Sequence, residues 1–176
     1  MRAFNFTVIA SGLDPHADDF ADRFFEAGCG DATISFQKGV LILDFTREAK
    51  NVTQAIFSAI RDVQKAGATV INIEPDHLVS LSDIANRAEI SRAAASHYAK
   101  GLRGKAFPLP VARITTESPL WDWFSVSRWL RKRSYVSHYA VIEAKVIRET
   151  NLAIRGENTQ HAVFAKKLAE LKQEAA

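Results

Sequence analysis

A run of acidic residues near the N-terminus holds the side chains best suited to acid–base or metal chemistry. Its members are Asp14, His16, Asp18, Asp19 and Asp22. Carboxylates and an imidazole can act as general acids and bases or bind a metal ion. The dipeptide Asp14-Pro15, however, predicts the start of a helix that continues to Glu26, and the helix dipole favours acidic side chains in a first turn. We therefore interpret the run as a solvated helix face.

Other signals of enzyme chemistry are weak. The sequence has no glycine-rich phosphate loop and no nucleophile elbow, and its five histidines are scattered without metal-ligand spacing. The single Cys29 cannot form an internal disulfide and is expected in a turn or core. Arg61, Asp62 and Lys65 look like surface pairs on a helix. We expect no enzymatic activity, no cofactor and no metal.

A second group of polar and basic side chains lies between residues 81 and 100 and is typical of nucleic-acid contact. Ser80 or Ser82 can cap a short helix with Asp83 in its first turn, and Ser91 can cap a second helix. The side chains expected to pack between these helices are Ile84, Ala85, Ala88, Ile90, Ala95 and Tyr98. The tight turn between them requires a left-handed backbone at Glu89, where glycine is usual. The spacing predicts a helix-turn-helix, and the alternative is an ordinary helical hairpin within a core.

The other face of the second helix carries no large apolar side chain. It presents Arg92, Ala93, Ser96, His97 and Lys100. Short side chains allow close approach to the DNA major groove, and arginine reads guanine there. Arg92, Ser96 and His97 are expected to reach base edges, with Ser91 near the DNA backbone.

A basic loop and a proline-flanked segment follow this helix. Phe107, Pro108 and Pro110 predict an extended arm, and residues 111–116 and 119–123 predict two short strands around a polar turn. Ser125 is expected to cap a last helix with one apolar face, formed by Val126, Trp129 and Leu130. The side chains expected to contact phosphates are Lys100, Arg103, Lys105 and Arg113. Together these elements predict a winged helix.

The pattern FP-x-PV…LW-x-W-x-x-V-x-x-WL over residues 107–130 resembles the small bacterial and phage DNA-binding domains related to the excisionase, AlpA and MerR winged helices. The resemblance implies a hairpin beside the recognition helix that touches the DNA backbone or minor groove. Arg113, Thr115 and Thr116 match the wing tip, while Trp121 and Trp129 match packing residues and are expected in the core.

The resemblance extends toward the N-terminus and covers roughly residues 4–130. Residues 25–29, 43–45 and 78–84 are similar to bacterial helix-turn-helix proteins in which a sandwich domain precedes the DNA-binding unit. The pattern of residues 1–76 agrees, with strands at 3–10, 32–36, 40–45 and 68–73 and a second helix capped by Asn51. The first helix is expected to bury a stripe of Phe20, Phe24 and Phe25. The order β-α-β-β-α-β predicts a ferredoxin-like α+β sandwich, which by itself indicates no activity.

Charge separates the chain into three parts, which we predict as domains. Residues 1–76 carry seven Lys and Arg against eleven Asp and Glu, residues 77–133 carry ten against four, and residues 134–176 carry six against five. A basic middle segment is the expected footprint of phosphate contact. The run Arg128, Arg131, Lys132 and Arg133 could flank DNA or simply form a solvated helix end.

The tail predicts two amphipathic helices, broken near residues 155–158. They could cover the other domains or form a dimer seam, and we expect a homodimer because winged helices commonly read two half-sites. The sequence therefore predicts a dimeric, sequence-specific regulator of transcription that binds double-stranded DNA. No segment is apolar enough to cross a bilayer, so we expect a cytoplasmic protein. The alternatives are an antitoxin-like module that binds a protein partner and an excisionase-like architectural DNA-binding protein.

Overall fold

The computed structural model describes residues 1–156 of this α+β chain. These residues divide into two compact units. We call residues 1–74 together with 149–156 the N-terminal unit, and residues 75–148 the middle unit. No helix in the described part of the chain is long and apolar enough to cross a membrane.

A four-stranded antiparallel sheet with two helices forms the N-terminal unit. The elements are β1 (Arg2–Ser11), α1 (Phe20–Ala27), β2 (Ala32–Gln37), β3 (Val40–Ala49), α2 (Val52–Lys65) and β4 (Thr69–Glu74). In space the strands lie in the order β2-β3-β1-β4, so β1 and β3 are central and β4 is an edge. The element order agrees with the sequence prediction.

The core of this unit follows the two-residue period of the strands. The buried apolar residues include Phe4, Phe6, Val8 and Ala10 of β1 and Leu41, Leu43 and Phe45 of β3. Helix α2 packs on this face and buries Ala55, Ile56, Ala59 and Val63. Its N-cap is Asn51, whose side chain accepts a hydrogen bond from the Gln54 backbone N–H, as predicted.

The prediction for the first helix is wrong at its start. Residues 14–19 form turns rather than helix, and α1 begins at Phe20. Asp14 is the cause, because its carboxylate accepts a hydrogen bond from the His16 backbone N–H at 2.9 Å and closes a local turn. The predicted apolar stripe is also wrong at Phe25, which is 74% exposed, while Phe24 is buried.

The last helix of the described residues, α6 (His138–Ile154), supplies residues to both units. In the N-terminal unit its Asn151 is fully buried and contacts the edge strand β4. The Asn151 side chain accepts a hydrogen bond from the Ile73 N–H at 2.7 Å and donates one to the Ile73 carbonyl at 2.9 Å. One amide thus satisfies a donor and an acceptor on a strand edge beside which residues 1–156 place no further strand. The predicted break agrees with a helix end at Ile154, and the second predicted tail helix lies outside the described residues.

The middle unit is built from short elements around an aromatic-rich core. It contains β5 (Leu78–Val79), α3 (Leu81–Arg87), α4 (Arg92–Ala99), β6 (Trp121–Asp122), α5 (Trp123–Arg131) and the start of α6. Its buried residues include Val79, Ile84, Ala88, Ala95, Tyr98, Trp121, Val126, Trp129 and Leu130. Trp121 and Trp129 therefore lie in the core, as expected.

Two predictions for the segment before α5 need correction. Instead of two paired strands, residues 111–123 show a single bridge between Ala112 and Leu120, and Trp121–Asp122 pairs with Leu78–Val79. The N-cap of α5 is Asp122 rather than Ser125, since its carboxylate accepts hydrogen bonds from the Ser125 N–H and hydroxyl. A carboxylate three residues earlier provides the stronger acceptor, so the helix begins at Trp123.

Candidate nucleic-acid interface

Helix α3 is held at its N-terminus by a reciprocal cap. The Ser80 hydroxyl accepts a hydrogen bond from the Asp83 N–H at 3.2 Å, and the Asp83 carboxylate accepts one from the Ser80 N–H at 2.8 Å. Partial burial alone would raise the pKa of Asp83, but the Ser80 hydrogen bonds outweigh it and the pKa lies below its usual value. Ser80, not Ser82, is therefore the cap.

The turn between α3 and α4 has the left-handed residue that the sequence required. Glu89 has φ +54°, and the Ile90 N–H donates to the Ala85 carbonyl at 3.0 Å. The Glu89 N–H donates to the Asn86 carbonyl at 3.3 Å. These two bonds form a Schellman motif, which stabilises the turn although it has no glycine.

Helix α4 buries one side and leaves the other open. Ala95 and Tyr98 face the core, whereas the exposed residues are Ser91, Arg92, Ala93, His97 and Lys100, with Ser96 half-buried. Ser91 caps the helix by accepting a hydrogen bond from the Ala94 N–H at 3.1 Å. The Arg92 Nε donates to the Ser82 hydroxyl at 3.0 Å, which holds this guanidinium next to α3.

The basic loop, residues 101–105, follows α4 and is fastened to α5. The Trp129 indole N–H donates to the Lys105 carbonyl at 2.9 Å, and an Arg133 N–H donates to the same carbonyl at 3.2 Å. The Arg133 guanidinium lies 3.5 Å from the centroid of the Trp129 ring. Gly104 has φ +72°, and a Cβ there would lie 2.9 Å from Trp129. Only glycine fits this approach without displacement.

A cluster of aromatic side chains packs against the same loop. Tyr98 lies with its ring centroid 4.9 Å from that of Trp129, and Phe107 lies 5.0 Å from Trp129. The Tyr98 and Tyr135 hydroxyls are 3.0 Å apart and hydrogen-bonded, which raises the pKa of Tyr98. The Arg103 guanidinium lies 5.6 Å from the Tyr98 centroid. Arg103 and Lys105 therefore project from a loop with a defined conformation.

The tip, residues 113–116, is a separate exposed feature. Arg113 has φ +52°, and its carbonyl accepts hydrogen bonds from the Thr116 N–H at 3.1 Å and the Thr116 hydroxyl at 2.9 Å. The side chains of Arg113 and Thr115 are exposed, while the Thr116 hydroxyl is engaged in the turn. Among the described residues no hydrogen bond joins the tip to α4. The α4 and basic-loop residues thus lie on contiguous chain, whereas the tip belongs to a separate segment.

One residue that the sequence left ambiguous has a defined place. All four cations of residues 128–133 are exposed, but Arg133 also donates a hydrogen bond to the Lys105 carbonyl of the basic loop, and the Arg128 guanidinium lies 5.7 Å from the centroid of the Phe124 ring. The alternation of cations with Trp129 at helical spacing was the available signal, but it did not identify which cation would lie on the ring. That choice depends on where the loop passes.

The acidic run offers little organisation for chemistry. Its side chains are exposed, and Asp19 forms an ion pair with Arg23 at 2.6 Å. No group of three or more His, Cys, Asp or Glu side chains in residues 1–156 could hold a metal ion. Burial raises the pKa of the Cys29 thiol to about 11, so the thiol is protonated at neutral pH.

A buried charge cluster was missed by sequence reasoning. Asp62, expected on the surface, is buried and accepts a hydrogen bond from Arg47 at 2.7 Å. Arg47 also donates to both carboxylate oxygens of Asp31 at 2.8 Å, to the Gly28 carbonyl and to the Ser58 hydroxyl. Its side-chain donors are therefore occupied, which indicates a structural role. The sequence feature that could have predicted this cluster is Arg47 itself, a basic residue at a core-facing position of β3.

No protein-family model, no curated protein and no solved structure matches this chain. The resemblance to excisionase, AlpA and MerR winged helices therefore stays a prediction from the sequence.

Proposed function

We propose that the protein is a dimeric, sequence-specific DNA-binding regulator of the bacterial cytoplasm, acting as a repressor in a chromosomal or prophage operon rather than as an enzyme. The observation that carries this proposal is the open face of α4. A helix fixed by a cap at each end presents small and basic side chains to solvent, and a basic loop continues from its last turn. This is the arrangement by which a recognition helix enters a major groove.

The proposed architecture is a ferredoxin-like domain joined to a winged helix-turn-helix. The strand order β2-β3-β1-β4 and the β-α-β-β-α-β sequence of elements support the first part. The Schellman turn between α3 and α4 supports the second. The two-stranded β5-β6 ladder and the tip would form a reduced wing.

Electrostatics favours the same function. Residues 77–133 carry ten Lys and Arg against four Asp and Glu, although the whole chain has a formal net charge of only +3. Such an uneven distribution is expected when one surface neutralises phosphates. Asp83, Glu89 and Glu117 are exposed exceptions, and none of them lies among the exposed residues of α4 or the basic loop.

In the proposed complex, each side chain has a distinct role. Arg92, Ser96 and His97 reach base edges from α4, and Ala93 permits close approach. Ser91 lies near the DNA backbone at the start of the helix. The phosphate contacts are made by Lys100, Arg103 and Lys105 and, at the tip, by Arg113 with its neighbours Thr115 and Thr116.

The test is selection of bound sequences from a random duplex pool at two salt concentrations. We expect recovery of one palindromic motif whose half-sites lie about one helical turn apart, as a two-fold dimer requires. Absence of binding at either salt concentration would overturn the proposal and leave α3 and α4 as a surface for a protein partner, as in the antitoxin-like alternative.

An architectural role is the second candidate, and exposed apolar side chains favour it. Leu109 is 82% exposed between two prolines, and Ile114 is 64% exposed at the tip beside Arg113. Apolar wedges next to cations can enter a minor groove, unstack a base step and bend the duplex. Salt-sensitive binding without an enriched motif, together with strong bending in a circular-permutation gel assay, would select this role over a repressor.

A further inference from the structure

Strand β2, at one edge of the sheet, lacks the features that usually protect an edge from pairing. The other edge strand, β4, is covered by the side-chain amide of Asn151, whereas among residues 1–156 only β3 pairs with β2. Strand β2 carries no charged residue and no proline, and its pairing with β3 is continuous and without a bulge. Natural edge strands commonly carry lysine, proline or a bulge, because a regular edge can accept another strand. The β2 edge is therefore open to pairing.

The backbone groups that β2 presents at this edge follow from its hairpin with β3. The two-residue loop, Lys38-Gly39, has φ angles of +52° and +80°, and it closes on the paired residues Gln37 and Val40. Hydrogen bonds in an antiparallel ladder involve alternate residues, so the N–H and C=O groups of Ile34 and Phe36 point away from β3. No hydrogen bond from the described part of the chain meets these four groups. The edge thus presents two donors and two acceptors.

These four groups are complementary to those of a second copy in one antiparallel register. If Ile34 lies opposite Phe36 of the second copy, the pair exchanges two hydrogen bonds, and the two-fold axis repeats the pair. Ser35 then lies opposite Ser35 of the second copy, on the axis. The alternative register, with Ile34 opposite Ile34, pairs Phe36 with Ala32. The Ala32 N–H already donates to the Cys29 carbonyl at 3.0 Å, so this register leaves the Phe36 carbonyl without a donor.

Apolar side chains at the edge favour the same register. Ile34 and Phe36 are paired with the buried residues Leu41 and Leu43 of β3, so they lie on the face of the sheet that the helices cover. Phe36 is nevertheless 48% exposed, and it would pack against Ile34 of the second copy. Phe25 is 74% exposed and packs against the turn before β2, so it extends this apolar surface.

Charge favours a second copy as the partner of this edge. Asp31 directly precedes β2 and Lys38 directly follows it, so antiparallel pairing brings the cation of one copy near the anion of the other at both ends. We propose that the homodimer forms by antiparallel pairing of β2 with β2 of a second copy, which joins the two four-stranded sheets into one. This inference rests on the proposed function for the dimer itself and names its interface.

Disulfide cross-linking of the full-length protein without DNA tests the register. Ser35→Cys places two thiols on the axis, with Cα atoms about 4.5 Å apart, a distance that a disulfide spans. Thr33→Cys is the matched control, exposed on the same face, because its two copies would lie about 14 Å apart. The native Cys29 is buried with a thiol pKa of about 11, so it is a poor competitor. We expect about tenfold more covalent dimer from Ser35→Cys than from Thr33→Cys after mild oxidation.

A mixed experiment covers the case in which Ser35→Cys fails to fold. Thr33 lies opposite Gln37 of the second copy in the proposed register. An equimolar mixture of Thr33→Cys and Gln37→Cys should therefore cross-link after subunit exchange, whereas neither variant should do so alone. Equal cross-linking of Ser35→Cys and Thr33→Cys would overturn the proposal, and so would an absence of cross-linking in both Ser35→Cys and the mixture.

Sedimentation equilibrium separates this inference from the proposed function. Phe36→Lys places a cation against Ile34 of the second copy, so we expect the mass of one chain where the wild type has the mass of two. Ile71→Lys, at a 39% exposed position of the opposite edge strand, is the matched control and should stay dimeric. A dimeric Phe36→Lys would overturn the β2 interface and leave the proposed regulator intact. A monomeric wild type that still selects a DNA motif would overturn the interface but not DNA recognition.

Discussion

Arg92 is the residue on which base recognition depends in the proposed complex. Its Nε is held by the Ser82 hydroxyl at 3.0 Å, so the guanidinium keeps further donors for a base while its stem is restrained. Restraint of a long side chain lowers the entropy lost on binding. The same hydrogen bond could not be predicted from the sequence, because it joins residues on two helices.

Arg92→Ala should cost about 1–3 kcal/mol of binding free energy and relax the preference at one base pair, because a bidentate contact to guanine is lost. The measurement is competition between the selected motif and a scrambled duplex. Ser82→Ala is the matched control, since it releases the restraint but keeps the guanidinium. If Arg92→Ala binds both duplexes as the wild type does, the placement of α4 in the groove is wrong.

Lys100 is expected to act on phosphates rather than on bases. It is exposed at the C-cap of α4, where the basic loop begins. Lys100→Ala should weaken binding to all sequences alike and reduce the slope of log affinity against log salt by about one, because one fewer counterion is released. The salt series is repeated with Lys145→Ala, which lies on α6. A slope unchanged by Lys100→Ala would remove this residue from the phosphate contacts.

Asp31 should give the fold part of its acid sensitivity. Hydrogen bonds from Arg47 hold the pKa of this carboxyl below its usual value near 3.8. The folded state therefore binds fewer protons than the unfolded state in acid, so the stabilisation is present above about pH 4 and is lost as the pH falls through the folded pKa. We expect the free energy of unfolding to fall less steeply between about pH 5 and pH 3 in Asp31→Asn than in the wild type. Urea denaturation over this range measures it, and Asp18→Asn, at an exposed position of the same unit, is the matched control.

The two edge strands of the sheet, β4 and β2, have different surroundings. The β4 edge is covered by Asn151 of α6, whose amide contacts both backbone groups of Ile73. The opposite edge strand, β2, carries exposed polar side chains at Thr33, Ser35 and Gln37. A side-chain amide thus takes the place of a further strand at β4.

Asn151→Ala should lower the free energy of unfolding of the N-terminal unit by about 2–4 kcal/mol, because it leaves a buried N–H and a buried carbonyl without partners. Urea denaturation followed by far-UV circular dichroism measures the loss. Asn5→Ala, at an exposed position of β1, should change stability by no more than about 0.5 kcal/mol. Similar losses in the two variants would contradict the structural role of Asn151.

Elements with local signals were predicted best. Caps at Asn51, Ser80 and Ser91 are side-chain contacts over three residues, and all three mark helix starts in the structure. The predicted start of α1 was wrong because the Asp14 carboxylate closes a turn, which competes locally with helix formation. The predicted N-cap of α5 was wrong because Asp122 and Ser125 are both suitable N-cap residues and only one of them can begin the helix.

At the scale of the whole molecule, charge is divided between the parts of the chain. Residues 1–76 are net acidic and residues 77–133 net basic, so in the proposed complex the basic part approaches DNA and the acidic part does not. A DNA-binding unit that reads a palindrome needs a second copy, and the exposed Phe25 and Phe57 of α1 and α2 offer apolar surface for it.

Sedimentation equilibrium at micromolar concentrations should give twice the mass of the chain, because the proposed reader binds two half-sites through a two-fold dimer. Phe57→Ser should shift the equilibrium toward monomer if α2 lies in the interface, with Thr53→Ser on the same helix as the control. A monomeric wild type under these conditions would remove the dimer from the proposal.

Local patterns along the chain were enough to predict the α+β class, the order of the elements in residues 1–74, the left-handed turn at Glu89 and the face of α4 that lacks a core. These features follow from short-range physics: the periods of strands and helices, side-chain caps, and burial of apolar stripes. Packing in three dimensions buries Asp62, pairs Trp121 with Val79 and places Arg133 on Trp129, and local patterns predicted none of these contacts. Each of these three features depends on a contact between residues distant in sequence, or on which of several similar residues makes the contact. Pattern along the chain carries no information on that choice, because it is made by packing in three dimensions.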